Sequence, residues 1–278
     1  MTEDDPDRDP DLDLDLSELP VAVGQPEDAM LVDLVEVPPG YFQLTRSATY
    51  CFLAALPLLV AYELLIILAN RTRVQQVRVG ADVWTKQILE AAGVTTHATL
   101  ATTALAVGVI AILCDSHRRV ELRPYYFAGM FLESILYAIG MAYVVFKLVY
   151  SVLPAVLPSV AIGAGDGFIL SLALSLGAGL YEELFFRVLL FGGIAALLRL
   201  FLKKRRALVV AAIVSSLIFS GIHYIGEFAY VLELQSFLFR FLLGIVLTGI
   251  YYARGFAVAA WSHALYDVLV IFVNHNAN

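Results

Sequence analysis

Long apolar runs separated by short polar loops restrict the fold of this chain more than any other feature of its sequence. A helix needs about 20 mainly apolar residues to cross the ~30 Å hydrocarbon core of a bilayer. Candidate spans occupy the segments 47–69, 96–114, 126–153, 166–202, 207–224, 236–253 and 256–274. The fourth is too long for one straight span, so we expect a crossing helix continued by a bent or interfacial segment. The pattern predicts an all-α polytopic membrane helix bundle with about seven to eight transmembrane helices.

The composition excludes several other classes of protein. Hydrophobic residues make up 60% of the chain and charged residues 15%, whereas a soluble domain is about half apolar and a quarter charged. These values exclude an ordinary soluble enzyme and a wholly disordered chain, and two cysteines are too few for a disulfide scaffold. The basic residues lie in short loops and form no continuous basic face, which excludes nucleic acid as a partner.

The negative charge of the chain is concentrated near its N-terminus. Residues 1–36 contain 13 of the 25 acidic residues and a single base, Arg8. Repeated Asp-Leu pairs interrupted by Pro cannot bury enough apolar surface to offset the entropy of ordering. We therefore predict an acidic disordered tail over 1–45 and a transmembrane helical domain over 46–278.

Basic loops predict the orientation of the bundle, because cytoplasmic loops are enriched in Lys and Arg. Placing the basic clusters at 203–206 and 118–123 inside is consistent with seven spans and an internal N-terminus. The acidic loop at 227–233 then lies outside. The loop 71–95 also lies outside although it carries four basic residues, so we expect it to fold back as an interfacial segment anchored by Trp84.

Three of the apolar spans contain clustered ionisable side chains: Glu182, Glu183 and Arg187 in the first, His223 at the end of the second, and His263 and Asp267 in the third. Such residues are costly at membrane depth and usually line a cavity or pair with one another. A structural ion cluster, a structural hydrogen-bonding His and a helix-packing hydrogen bond are the alternatives for the three segments taken singly. Taken together, the three segments predict one polar cavity.

The spacing within these segments indicates how the side chains relate. Glu183 and Arg187 are four residues apart, so they are neighbours on one face of a helix and can form an ion pair. Glu182 lies about 100° round the helix from Glu183 and has no helical partner. A carboxylate in that position suits a general base. His263 and Asp267 also share one helix face, where the carboxylate can fix the tautomer of the imidazole.

The three segments together resemble a known family. EExxxR (Glu182, Glu183, Arg187), FxxxH (Phe219, His223) and Hxxx[N/D] (His263, Asp267) occur in this order in apolar helices, as in the CPBP family of intramembrane proteases. This family includes the type II CAAX prenyl endopeptidases. The resemblance covers about 165–275, which we take as the protease core.

The resemblance implies a role for each of these residues. Glu182 would activate the attacking water, and His223 would position that water or accept a proton. Glu183 and Arg187 would orient this centre and balance its charge. His263 and residue 267 would stabilise the oxyanion of the tetrahedral intermediate.

Position 267 departs from the prenyl-protease pattern, in which Asn is commoner. An ionised Asp267 cannot donate a hydrogen bond to an oxyanion. Either Asp267 is protonated or it orients His263 instead. The location of this residue in the site is therefore better supported than its role.

The family has been described both as metal-dependent and as glutamic-type without a metal. The absence of HExxH from this sequence favours a reaction without a metal or other cofactor. Glu182, His223 and His263 form a possible zinc ligand set, which stays an alternative.

Other functions leave different patterns. HExxH and a rhomboid-type Gly-x-Ser-Gly are missing, and the GxGD at 163–166 stands before the YD at 266–267, the reverse of the order in presenilin-like aspartyl proteases. A proton-coupled transporter and a non-proteolytic scaffold or immunity protein remain alternatives. We predict a glutamic-type intramembrane endopeptidase of the inner or plasma membrane. Its partners would be the lipid bilayer and a membrane-associated or lipid-modified protein or peptide substrate.

Overall fold

A computed structural model of the chain describes residues 40–71, 77–91, 93, 120–152, 167–225 and 231–277, together with isolated helical residues between 106 and 115. The predicted tail as far as Pro39, most of the predicted span 96–114, the loop 153–166 and the loop 226–230 lie outside the described residues. The compact unit that contains the helices begins at Gly40.

The described residues fold into helices, and none of them forms a strand. The helices are α1 (Tyr41–Leu44), α2 (Ala48–Asn70), α3 (Gly80–Ala91), α4 (Pro124–Val152), α5 (Phe168–Gly177), α6 (Gly192–Leu198), α7 (Lys204–Ile222), α8 (Leu234–Arg254) and α9 (Phe256–Ala277). Five of them are long and apolar enough to cross a membrane: α2, α4, α7, α8 and α9. The prediction of an all-α polytopic bundle is confirmed.

The predicted span 166–202 forms one uninterrupted helical run from Phe168 to Leu198. Two π-helical segments, Ala178–Glu182 and Leu184–Phe191, join α5 to α6. We call this run the motif helix, because it contains the EExxxR pattern. A π-helix closes its hydrogen bonds over one more residue than an α-helix does, and π turns inside helices occur frequently at functional sites.

Contacts between helix ends define two ends of the bundle. At the first, Arg46 donates to the carbonyl of Tyr252 and Tyr50 donates to the carbonyl of Glu121. Gly255, whose φ is +89°, is the single residue between α8 and α9, and only glycine adopts such a φ without strain. Since the loop 199–203 also places the end of α6 beside the start of α7, this end carries the cluster Lys203–Arg206. We call it the basic end.

The opposite end, which we call the His223 end, joins the other termini of the same helices. The hydroxyl of Ser220 in α7 donates to the carbonyl of Phe237 in α8 at 2.7 Å. The rings of Phe168 at the start of the motif helix and Phe272 near the end of α9 are 5.9 Å apart. From α4 onwards, the long helices therefore run alternately between the two ends, as successive membrane crossings do.

Helix α9 packs at the centre of the bundle. The side chains of Ala257–Ala260, in its first turn, are fully buried and contribute to both major apolar clusters of the core. A Cβ atom on Gly179 of the motif helix would lie 2.5 Å from the carbonyl oxygen of Ala260. Small residues allow helix backbones in a membrane to approach this closely, and this approach fixes the motif helix against α9.

An ion cluster at the basic end fastens α1 to the body. Arg254 forms an ion pair with Glu133, with Nη2 at 2.8 Å from Oε2, and also donates to the hydroxyl of Thr45. Tyr41 donates to Glu133 at 3.1 Å, and burial together with this carboxylate raises the pKa of Tyr41 to about 12. Residues 41–45, assigned from sequence to the tail, thus belong to the compact unit.

A second ion cluster fastens α3 to the outer half of α2, the half nearer the His223 end. The carboxylate of Asp82, which is fully buried, lies 2.8 Å from Arg78, 2.9 Å from Lys86 and 2.7 Å from the hydroxyl of Tyr62. Arg78 also pairs with Glu63. The described part of the loop 71–95, residues 77–91, folds back on the bundle. The ring of Trp84 packs on Phe185 of the motif helix, 5.6 Å between centroids.

Candidate active site

A buried network of three charged side chains connects the motif helix to α9. Oε1 of Glu183 lies 3.0 Å from Nη1 of Arg187 and 2.8 Å from Nδ1 of His263. The three side chains are 0%, 1% and 4% exposed respectively. The carboxylate of Glu183 is therefore the centre of the network, and it holds the imidazole of His263 by one ring nitrogen.

The local helix geometry places Glu183 at the junction between the two π segments. Gly179, about one helical turn before Glu183, allows the motif helix to approach α9 at Ala260 and Ala264. His263 directly precedes Ala264 in α9. The close approach of the two backbones therefore brings the side chains of Glu183 and His263 within hydrogen-bond distance.

The guanidinium of Arg187 lies over an aromatic ring. Its central carbon lies 4.5 Å from the ring centroid of Phe219 in α7, a cation–π distance. The guanidinium nitrogens have no hydrogen-bond partner of good geometry among the described residues, and neither has Oε2 of Glu183. The ion pair with Glu183 is consequently the main compensation for a buried positive charge.

Glu182 differs from its neighbour Glu183. Its side chain is partly exposed, and it forms no hydrogen bond or ion pair with another described residue. Its carboxyl group is nevertheless close enough to interact electrostatically with His263, Arg187 and Arg240. Of the two adjacent carboxylates, Glu183 is therefore held by Arg187 and His263, and Glu182 has no such partner among the described residues.

The comparisons with known proteins bear on the segment that carries these residues. Residues 164–269 match the family model described as type II CAAX prenyl endopeptidase Rce1-like. We refer to this matched segment as the Rce1-like domain. The comparisons with curated proteins and with solved structures gave no match. All six predicted site residues lie within the Rce1-like domain, and the resemblance to the CPBP family that their motifs indicate is confirmed.

Asp267 lies one helical turn beyond His263 in the Rce1-like domain. Its Oδ2 is 3.7 Å from Nε2 of His263, which is longer than a hydrogen bond. The side chain of Asp267 is 29% exposed. The closest partner of the His263 ring is thus Glu183, which the spacing within α9 does not reveal, and Asp267 faces the other ring nitrogen.

His223 ends α7, and its ring is oriented by the backbone. Nδ1 lies 2.7 Å from the carbonyl oxygen of Phe219. A carbonyl oxygen only accepts, so Nδ1 carries the hydrogen of this bond. In the neutral ring, Nε2 is then the atom that can accept a proton. The ring of Phe219 lies between the rings of His223 and His263, at 5.1 and 6.2 Å.

Arg240 in α8 belongs to the site, although its sequence context gave it no role. Its Nη1 lies 3.1 Å from the hydroxyl of Tyr224. Its charge interacts with Glu182, Asp267 and His223. The signal that could have identified Arg240 is its position inside an apolar span with no carboxylate three or four residues away.

The structure also shows whether the three possible zinc ligands are grouped around one point. Within the part of the chain that the structure describes, no three His, Cys, Asp or Glu side chains are grouped as a metal ligand set. Glu182, His223 and His263 are therefore near one another without forming such a set. Catalysis without a metal stays a prediction, which chelators test.

Proposed function

We propose that this protein is a glutamic-type intramembrane endopeptidase that hydrolyses a peptide bond of a membrane-associated or lipid-modified substrate in the inner or plasma membrane. The observation that carries the proposal is the position of Glu182. This carboxyl group has no partner of its own among the described residues. It stands beside the buried network of Glu183, Arg187 and His263 inside an Rce1-like domain.

The first step of the proposed reaction forms a bond between water and the substrate. Glu182 accepts a proton from water as the water oxygen attacks the carbonyl carbon, and the carbonyl oxygen becomes an oxyanion. His263 acts here with both ring nitrogens protonated, so that Nδ1 donates to Glu183 and Nε2 donates to this oxyanion. Arg187 balances the charge of Glu183 and so keeps that carboxylate in place.

The second step breaks the peptide bond. The tetrahedral intermediate expels the amine, which takes up the proton that left the water. Glu182 or His223 delivers this proton, and Nε2 of His223 is the ring nitrogen suited to exchange it. No covalent intermediate with the protein is formed, so the activity should survive inhibitors directed at serine and cysteine nucleophiles.

A matched pair of carboxamide variants tests the proposal. The purified protein in liposomes is given a farnesylated peptide that ends in a CAAX sequence, and the released C-terminal fragment is quantified. Loss of a general base typically lowers the rate about 10²–10⁴-fold, and this loss is expected for Glu182→Gln. Glu121→Gln is the control, because Glu121 is exposed at the basic end, where its carboxylate pairs with Arg123.

A second arm separates an unsuitable substrate from an absent activity. The wild type and Glu182→Gln are compared for the cellular function of the protein. If Glu182→Gln supports that function as well as the wild type does, the non-proteolytic scaffold or transport alternatives replace the endopeptidase.

A further inference from the structure

We infer that the candidate site opens at the His223 end of the bundle and takes its substrate from the non-cytoplasmic face of the membrane. The substrate class is a membrane-anchored polypeptide whose scissile bond lies on that face. This inference rests on the proposed function for the nature of the reaction. The direction of opening rests on the structure alone.

The site residues lie nearer the His223 end than the basic end. At a rise of 1.5 Å per residue, Phe219 lies about 22 Å and His223 about 28 Å from the start of α7 at the basic end. The ring of Phe219 is 5.1 Å from the ring of His223 and 6.2 Å from the ring of His263. The guanidinium of Arg187, which pairs with Glu183, lies 4.5 Å from the same ring.

The accessibility of these groups differs. His263, Glu183 and Arg187 are buried. Asp267, Arg240 and His223 are partly exposed. Ile225, just beyond His223, is 72% exposed. The buried network is therefore bordered by partly exposed polar groups that extend to the His223 end.

The opposite direction is closed by apolar packing. Between the network and the basic end, α9 contributes the fully buried segment Ala257–Ala260, and α8 contributes the fully buried Leu247. Beyond them, the basic end is crossed by the ion pair of Arg254 with Glu133 and by α1. A hydrated substrate segment has no polar route to Glu182 from this side within the described part of the chain.

The distribution of positive charge orients the two ends in the membrane. The basic end carries Arg46, Arg123, Arg199, Lys203, Lys204, Arg205, Arg206 and Arg254. Around the His223 end, the connections of the described helices carry Arg71, Arg78 and Lys86. Because Lys and Arg near the ends of spans are retained in the cytoplasm, the basic end is cytoplasmic and the site opens on the other face.

Cysteine labelling tests the orientation and the opening independently of any substrate. In a full-length chain with Cys51→Ala and Cys114→Ala, single cysteines are introduced as Ile225→Cys at the His223 end, Phe201→Cys at the basic end and Ser236→Cys beside Arg240. Phe201 is 78% exposed and is the matched control for Ile225. Bacterial spheroplasts that express each variant are treated with a membrane-impermeant maleimide before and after the membrane is opened.

We expect Ile225→Cys and Ser236→Cys to be labelled in intact spheroplasts, and Phe201→Cys to be labelled only after the membrane is opened. The reverse pattern for Ile225 and Phe201 would overturn the orientation. Labelling of Ile225→Cys without labelling of Ser236→Cys in intact spheroplasts would overturn the opening at this end.

A profile of protein termini tests the substrate class. New chain ends in the membrane proteome are compared between cells with the wild type and cells with Glu182→Gln. Ends that depend on Glu182 should lie on the non-cytoplasmic side of their proteins, and ends on the cytoplasmic side would contradict the inference. If no end depends on Glu182, the proposed function and the substrate class both fail, whereas the labelling pattern still decides the direction of opening.

Discussion

Replacement by Gln should lower the stability of the protein much more at Glu183 than at the adjacent Glu182. Glu183→Gln removes the charge that compensates Arg187, whose side chain is 1% exposed and lies 3.0 Å from Glu183. Breaking a buried ion pair by removing one partner costs about 3–5 kcal/mol, because the other charge is left uncompensated. Glu182→Gln leaves no partner of this kind behind, so its effect on the free energy of unfolding should stay below about 1 kcal/mol.

A double-mutant cycle shows whether the predicted cost comes from the ion pair. Arg187→Met alone should also destabilise by about 3–5 kcal/mol, since it leaves the carboxylate of Glu183 uncompensated. Arg187→Met combined with Glu183→Gln removes both charges. The double variant should therefore lose less stability than the sum of the two single variants, with a coupling of about 2 kcal/mol or more.

Unfolding in mixed micelles of a mild detergent and dodecyl sulfate measures these differences. The fluorescence of Trp84 and Trp261 reports the transition, because Trp84 packs on Phe185 of the motif helix and Trp261 donates to the carbonyl of Ala54. Equal stability of Glu183→Gln and Glu182→Gln would refute the assignment of Glu183 as the carboxylate held by the protein. A coupling near zero would refute the ion pair as the source of the effect.

Three further outcomes are expected. Gly179→Ala should lower the free energy of unfolding by about 1–3 kcal/mol, because the new Cβ would lie 2.5 Å from the carbonyl oxygen of Ala260. Gly193→Ala is the control, since its new Cβ has no atom within 4 Å, and it should be neutral or stabilising in the same assay. Equal effects of the two substitutions would contradict this packing. Asp267→Asn should keep most of the peptidase activity, because the amide retains a polar group facing Nε2 of His263. Asp267→Ala should lower the activity at least about tenfold if the side chain of residue 267 contributes a hydrogen bond in the transition state. Equal rates for the two variants would remove residue 267 from the site. EDTA and 1,10-phenanthroline should leave the cleavage rate unchanged, and a loss that added zinc restores would make Glu182, His223 and His263 the residues to examine as ligands.

The sequence predicted most of the helices because their signals are local. The apolar runs around α2, α4, α7, α8 and α9 agree with the observed helices to within a few residues. The pairing of Glu183 with Arg187 could likewise be predicted from their spacing of four. The segment Tyr41–Leu44 was assigned to the tail, and only its contact with the distant Arg254 shows that it belongs to the body.

The contacts that sequence could not supply are those between segments far apart in the chain. The bond between Glu183 and His263 joins residues 80 positions apart. The spacing of His263 and Asp267 suggested a local partner instead. The basic residues of the loop 71–95 contradicted the predicted topology, and in the structure Arg78 and Lys86 surround the buried carboxylate of Asp82. The two π segments have no recognisable sequence signature. We expected a crossing helix continued by a bent or interfacial segment over 166–202, and the π turns lie inside one helical run from Phe168 to Leu198.

The independence of Glu182 from the rest of the protein has an evolutionary consequence. Glu183, Arg187 and His263 compensate one another in the folded protein, whereas we predict that the proposed base contributes little to folding. One substitution at position 182 would then yield a pseudoenzyme with an intact membrane scaffold. A lineage that retains this bundle for binding alone should lose Glu182 early and keep Glu183 long afterwards.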